Sequence, residues 1–135
     1  MTRALNLVPT PQAVGLWHLI EQGWVADTSA ADNWSYDRPE AGHCAVTALI
    51  VQDILGGELR RALVNGESHY WNRLEDGTII DLTRSQFDAP LVIEDEVGRD
   101  RDYVLSNART KHRYELLRWR LRDILKGYTL LGENA

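Results

Sequence analysis

The 135-residue chain holds a single cysteine, Cys44, in the stretch "EAGHCAVTALIVQDILGG" over residues 40–57. Cys44 opens an apolar run that closes on Gly56-Gly57, which places it in the first turn of a predicted helix. A helix start leaves backbone N–H groups unpaired and carries the positive end of the helix dipole, and both favour a thiolate. An imidazole beside the thiol lowers its pKa further, and an acid behind the imidazole holds the ring in one tautomer. That trio is the machinery of acyl transfer through a covalent thioester. The candidates for base and acid are His69 and Asp81, both in "HYWNRLEDGTIIDLT".

Strand register decides whether those two can meet, because a one-residue slip reverses the face of every side chain. A two-residue Asp76-Gly77 loop pairs Asn72 with Asp81 and leaves His69 and Asp81 on opposite faces. A three-residue Glu75-Asp76-Gly77 loop, with glycine in the left-handed position, pairs Trp71 with Asp81 and His69 with Thr83. His69 and Asp81 are then diagonal neighbours on one face. The second register gathers Tyr70, Leu74, Ile80 and Leu82 on the other face, with Asn72 as the exception. The apolar pattern therefore favours the three-residue loop.

Each residue also has a plainer role. A lone cysteine beside an apolar run is commonly a core residue. His69 by itself reads as a polar residue on a half-exposed strand, and Asp81 as a turn acid next to Thr83. Their joint placement is what favours chemistry. Trp71 either lines the cleft beside the trio or packs beneath it. Besides the Cys44 N–H, an oxyanion hole needs a second donor, for which Asn33, Trp34 and Ser35 in the preceding loop are sources. His43 reads as a solvated loop histidine, and Gln52 as a packing or capping residue. A metal site on His43, Cys44, His69 and Asp81 has neither CxxC nor HxxxH spacing, so no metal is expected. Gly56-Gly57 lacks the Lys and Ser/Thr of a phosphate loop, and no organic cofactor is implied.

The elements around these residues form one domain, 1–135. Residues 11–22 have an apolar stripe at Val14, Trp17 and Ile20 behind a proline, giving a first amphipathic helix that ends near Gly23. A long loop of turn-forming residues leads to the Cys44–Leu55 helix, which is apolar all round and so belongs in the centre. "ELRRALV", "SHYWNRL" and "TIIDLT" are strands, "RSQFDAP" a short helical turn, and "EDEVGRDRD" a charged surface loop. Tyr114, Leu117, Leu121, Ile124 and Tyr128 recur at helical spacing, predicting a last amphipathic helix that starts between Ser106 and Thr110. The sum is α+β.

Composition narrows the class. A net charge of −5 disfavours nucleic acid as a partner, and the Lys and Arg gathered from Arg109 to Arg122 read as a solvated helix face. No apolar stretch approaches the length of a membrane span, and "MTRALNLVPTPQ" lacks the apolar segment of a secretory signal. One cysteine excludes an internal disulfide. The expectation is a cytoplasmic protein with no membrane partner, its oligomeric state left open.

"GHCAVTALIVQDILGGELRRALV" followed by "HYWN" and "GTIIDLT" resembles the core of transglutaminase-like, papain-related cysteine enzymes. There a cysteine opens a buried helix that ends in glycine and feeds a strand, a histidine stands two before a tryptophan, and an aspartate two before a threonine. The chain is similar, more closely, to the YunG-like family of small bacterial proteins, whose pattern runs Gly-Gln-Cys-Ala-Val-Thr-Ala, Gly-Gly, His-Tyr-Trp-Asn, Ile-Asp-Leu-Thr, Gln-Phe. Here these are Gly42 to Ala48, Gly56-Gly57, His69 to Asn72, Ile80 to Thr83 and Gln86-Phe87, with His43 in place of the glutamine. That family has no assigned activity. The first resemblance implies a papain-like/transglutaminase-like core: a Cys-bearing helix on a small antiparallel sheet, flanked by amphipathic helices. It also implies a thiol-dependent hydrolase or acyltransferase, with Cys44, His69 and Asp81 catalytic and Trp71, Trp34 and Ser35 near an amide, ester or thioester substrate, a small molecule or a peptide. The competing reading is a binding or regulatory module on the same fold, with Cys44 buried and inert.

Overall fold

The computed structural model describes residues 11–87 and 90–128. Helix α1 (Pro11–Ile20) and a long loop precede helix α2 (Cys44–Leu55). Then come the strands β1 (Glu58–Val64), β2 (Glu67–Arg73), β3 (Ile79–Ile80) and β4 (Ile93–Arg99). Helices α3 (Arg101–Leu105), α4 (Ala108–Arg120) and α5 (Arg122–Leu125) complete the order. The strands form one antiparallel sheet in the order β3-β2-β1-β4, so the architecture is α+β.

Helix α2 has the bounds that its apolar run predicts, and residues Val46 to Val51 are all buried. It lies against the sheet face that carries Leu59 and Ile80, which share its core. Asn72, the one polar residue at a pattern position of that face, donates from Nδ2 to the Ala48 carbonyl at 2.9 Å. The amide thus links β2 to the middle of the helix. Ala62, Val64, Trp71 and Ile93 form a second apolar cluster on the opposite face.

Three expectations are corrected. In α1 the buried residues are Leu16, Leu19 and Ile20, while Val14 is 43 % exposed. The apolar residues wrap more than one stripe of that short helix, and packing selects the stripe. The stretch 94–102, expected as a charged loop, instead supplies most of the edge strand Ile93–Arg99, paired with β1 with a register shift between Arg61 and Leu63, and the start of α3. An edge strand is held by backbone hydrogen bonds and can be charged outward, so it needs no apolar alternation; here Arg60 also pairs with Glu96 at 3.0 Å. The last helix is divided at Leu121, where ψ is 5°. Buried Leu121 and Leu117 press on Gly23, whose hydrogen a methyl group could not replace without moving them. The start of α4 falls where expected, capped by the Asn107 side chain, which accepts from the Arg109 and Thr110 N–H groups. Of "RSQFDAP", Arg84–Gln86 form a 3-10 turn, while Asp88 and Ala89 lie outside the described residues. The N-terminal residues 1–10, on which the signal reading bears, lie outside them too.

The far end of α2 is tied to the C-terminal helices by a buried acid. Asp53 accepts from the Tyr114 hydroxyl and pairs with Arg101 at 2.7 Å. Arg101 also donates to Gln52 Oε1 at 3.0 Å, while Gln52 Nε2 donates to the Gly57 carbonyl at 3.2 Å just past the helix end. Burial pushes the Asp53 carboxyl up, against the pull of Tyr114 and the two guanidinium groups of Arg101 and Arg118. Removing one member of such a cluster strands the others out of water. Asp53→Ala is expected to lower the unfolding free energy by about 3 kcal/mol in urea titration, whereas Asp123→Ala, at an exposed pair with Lys126, is expected to leave it unchanged.

Candidate active site

The turn between β2 and β3 sets the geometry. Asn72 pairs with Ile80 and Arg73 with Ile79, the register that a Glu75-Asp76-Gly77 loop produces. Gly77 takes φ +89°, the left-handed conformation such a loop requires. The ladder ends at Ile80, short of the strand expected through Thr83, and Asp81 follows directly on the side that carries His69. His69 Nε2–H donates to Asp81 Oδ2 at 2.5 Å, with both side chains 1 % exposed.

The surroundings make this pair polar in an apolar shell. The indole of Trp71 stacks beside the His69 ring at 5.9 Å and Phe87 meets it edge-on at 4.8 Å. The second carboxylate oxygen, Oδ1, accepts from the Thr83 N–H at 3.3 Å and the Thr83 hydroxyl at 3.5 Å. Burial works to lower the imidazole pKa, but hydrogen bonds and charge from Asp81 and Cys44 outweigh it and lift it to about 10. With Nε2 committed to Asp81, Nδ1 is the nitrogen left for Cys44. Gln86 Nε2 lies 3.1 Å from that same Nδ1.

Cys44 reaches the site from the first turn of α2. Its position depends on Gly42, whose φ is +73° and whose absent side chain would strike Ser29 Oγ at 2.3 Å and the Ala31 nitrogen at 2.4 Å. The Gly42 N–H donates to Gln86 Oε1 at 3.3 Å, and its carbonyl accepts from the Ala30 N–H at 2.9 Å. Partly exposed Cys44 lines an open cleft of about 510 Å³ with Asn33, Arg38, Glu67, Tyr70, Gln86 and Arg113.

Cys44, His69 and Asp81 are therefore brought together. Trp71 is not in the cleft wall: it is 1 % exposed and packs behind His69. Trp34 donates its indole N–H to the Pro39 carbonyl at 2.9 Å, and Ser35 Oγ accepts from the Asp37 N–H. Both serve their own loop, and it is Asn33 that lines the cleft. Gln86 was legible only as part of the Gln86-Phe87 motif, since no spacing rule ties a residue after the third strand to a helix start. The described residues contain no cluster of three metal-ligating side chains.

His43 departs from expectation most. Instead of a solvated histidine it is fully buried, stacked on Trp24 at 5.2 Å. Its Nδ1–H donates to the Pro39 carbonyl at 2.8 Å and its Nε2 accepts from the Thr28 hydroxyl at 2.7 Å. Both nitrogens are occupied, so it supplies no second base for the thiol. Burial is the main cause that drives its pKa down to about 4.

A small α+β domain with a cysteine–histidine–aspartate cluster beside a cleft is what fold and site together define. The chain belongs to the YunG protein family, whose model matches residues 12–126. It is 34 % identical over 74 residues to the uncharacterized protein YunG of Bacillus subtilis (strain 168), covering 55 % of this chain and 62 % of that relative. The matched region thus spans about three fifths of the length of that relative. No solved structure matches. The description that stands is α+β with a four-stranded antiparallel sheet, and no solved structure supports the papain-like core of the first resemblance. No described helix is long and apolar enough to cross a membrane.

The depressed pKa of His43 has a measurable sign. The folded protein resists a proton that the unfolded chain takes up below about pH 6.5, so stability is full above that value and is lost as pH falls toward about 4. Between pH 7 and pH 5 this group alone is expected to remove about 2 kcal/mol of unfolding free energy. In His43→Gln, urea titrations at the two pH values should differ by that much less.

Proposed function

We propose that the chain is a thiol-dependent hydrolase or acyltransferase acting on an amide, ester or thioester. The observation that supports this best is the His69 ring, which is held by Asp81 through one nitrogen and interacts with Cys44, itself a lining residue of an open cleft. A cysteine serving only as core would have no reason to meet a desolvated imidazole–carboxylate pair. Such a pair costs free energy to bury unless its charge is used. The arrangement follows the nucleophile–base–acid logic of papain-like enzymes.

In the reaction, the proton shared by Cys44 and His69 rests on the imidazole, whose pKa is lifted to about 10, and the sulfur forms a bond to the substrate carbonyl carbon. The backbone N–H of Cys44, a first-turn donor of α2, stabilises the oxyanion. As the intermediate collapses, the bond to the leaving group breaks, and the imidazolium gives its proton to the departing amine, alcohol or thiol. Water or an acceptor amine then attacks the thioester while His69 takes its proton, and Cys44 is released. Asp81 keeps Nε2 protonated throughout and balances the imidazolium charge. Trp71 and Phe87 exclude water from behind the ring.

The test is the rate of Cys44 alkylation by iodoacetamide against pH. With one cysteine the signal has a single source. Alkylation should persist well below the free-thiol pKa of ~8.5. At pH 6 it should drop by roughly 100-fold in His69→Ala, with a smaller loss in Asp81→Asn. Labelling that begins only on unfolding, or a profile that His69→Ala leaves unchanged, would overturn the proposal.

A further inference from the structure

The cleft that Cys44 lines holds an arginine with no counter-ion. Arg113, on α4, is half-buried, and its guanidinium makes one weak hydrogen bond, to the Thr110 hydroxyl at 3.5 Å. Among the described residues no carboxylate lies within ion-pair distance of it. Other arginines of the fold differ: Arg60 is paired with Glu96, and Arg101 and Arg118 with Asp53. Glu67 lines the same cleft without pairing to Arg113, and Arg38 donates to the Gln86 carbonyl. Arg113 also borders a second cleft of about 450 Å³ shared with Arg109 and His112. Burial, and then the charge of Arg109, work against its protonated form, while Cys44 favours it.

We infer that the acyl substrate of the Cys44 cleft carries an anionic group, a carboxylate or a phosphate, and that Arg113 receives it. This deepens the acyl-transfer reading and rests on it. An arginine that is partly desolvated, repelled by a like charge and left without a carboxylate is destabilised until an anion arrives. Its planar fork accepts two oxygens of a carboxylate or phosphate side by side. The cleft volume suits a small molecule. Arg113 and Cys44 line the same cavity, so one compound can present its anionic end to the first and its carbonyl to the second.

Two reagents that differ mainly in charge test this: iodoacetate, an anion, and iodoacetamide, its neutral counterpart. The readout is the ratio of their rates at Cys44 divided by the same ratio for N-acetylcysteine, which cancels intrinsic reactivity and thiolate fraction. The expected quotient is about 10 at low salt, falling as ionic strength rises. It should fall to about 1 in Arg113→Gln and be largely kept in Arg113→Lys. A quotient near or below 1 in the wild type, or one that Arg113→Gln does not change, would defeat the anionic-substrate inference. If iodoacetamide is nonetheless fast and dependent on His69, the acyl-transfer reading stands without it. If neither reagent labels folded protein, both readings fail together.

Discussion

The hydrogen bond between His69 and Asp81 is the constraint around which the site is arranged. Two groups that can both carry charge are held out of water, which is tolerable only if every remaining valence is met. The structure meets them locally: Thr83 serves the outer carboxylate oxygen, and Cys44 and Gln86 approach the outer ring nitrogen. All of this requires one strand register. A slip of one residue would turn His69 to the face that carries Leu59 and Ile80, and a charged pair would become an unpaired polar group in the core.

The helix that delivers the thiol is fixed at three points. Asn72 holds its middle to β2, Asp53 holds its far end to α3 and α4, and the loop packed around His43 holds its start. His43 is therefore a structural residue beside the candidate nucleophile. Neutral and doubly bonded, it anchors the residue immediately before Cys44. The same Asp53 network that secures α2 also positions α4, and with it Arg113, against the cleft. Fold stability and cleft geometry are coupled through that one buried acid.

Much of the fold was legible because it is written in local rules. The bounds of α2 follow from an apolar run and a Gly-Gly stop. The turn after β2 follows from a glycine at its third position and from the alternation of flanking residues. Asn65-Gly66, with both residues at positive φ, is an equally local signal for the β1–β2 hairpin. The misses share another cause. β4 is an edge strand whose charged sequence gives no period-2 signal, and the last helix is divided at Leu121, which packs on a glycine almost a hundred residues away.

Residue types, their order and the one register that lets His69 meet Asp81 are all readable along the chain. Those depend on side-chain period and turn chemistry, which act between near neighbours. Packing between distant elements settled which groups share a boundary with solvent. It put Trp71 behind the imidazole, buried His43, kept Trp34 and Ser35 within their loop, and brought Gln86 and Arg113 to the cleft that Cys44 lines. Burial and cleft lining depend on how separate elements close over one another. No spacing along a single chain segment encodes which side of a residue the rest of the molecule will cover.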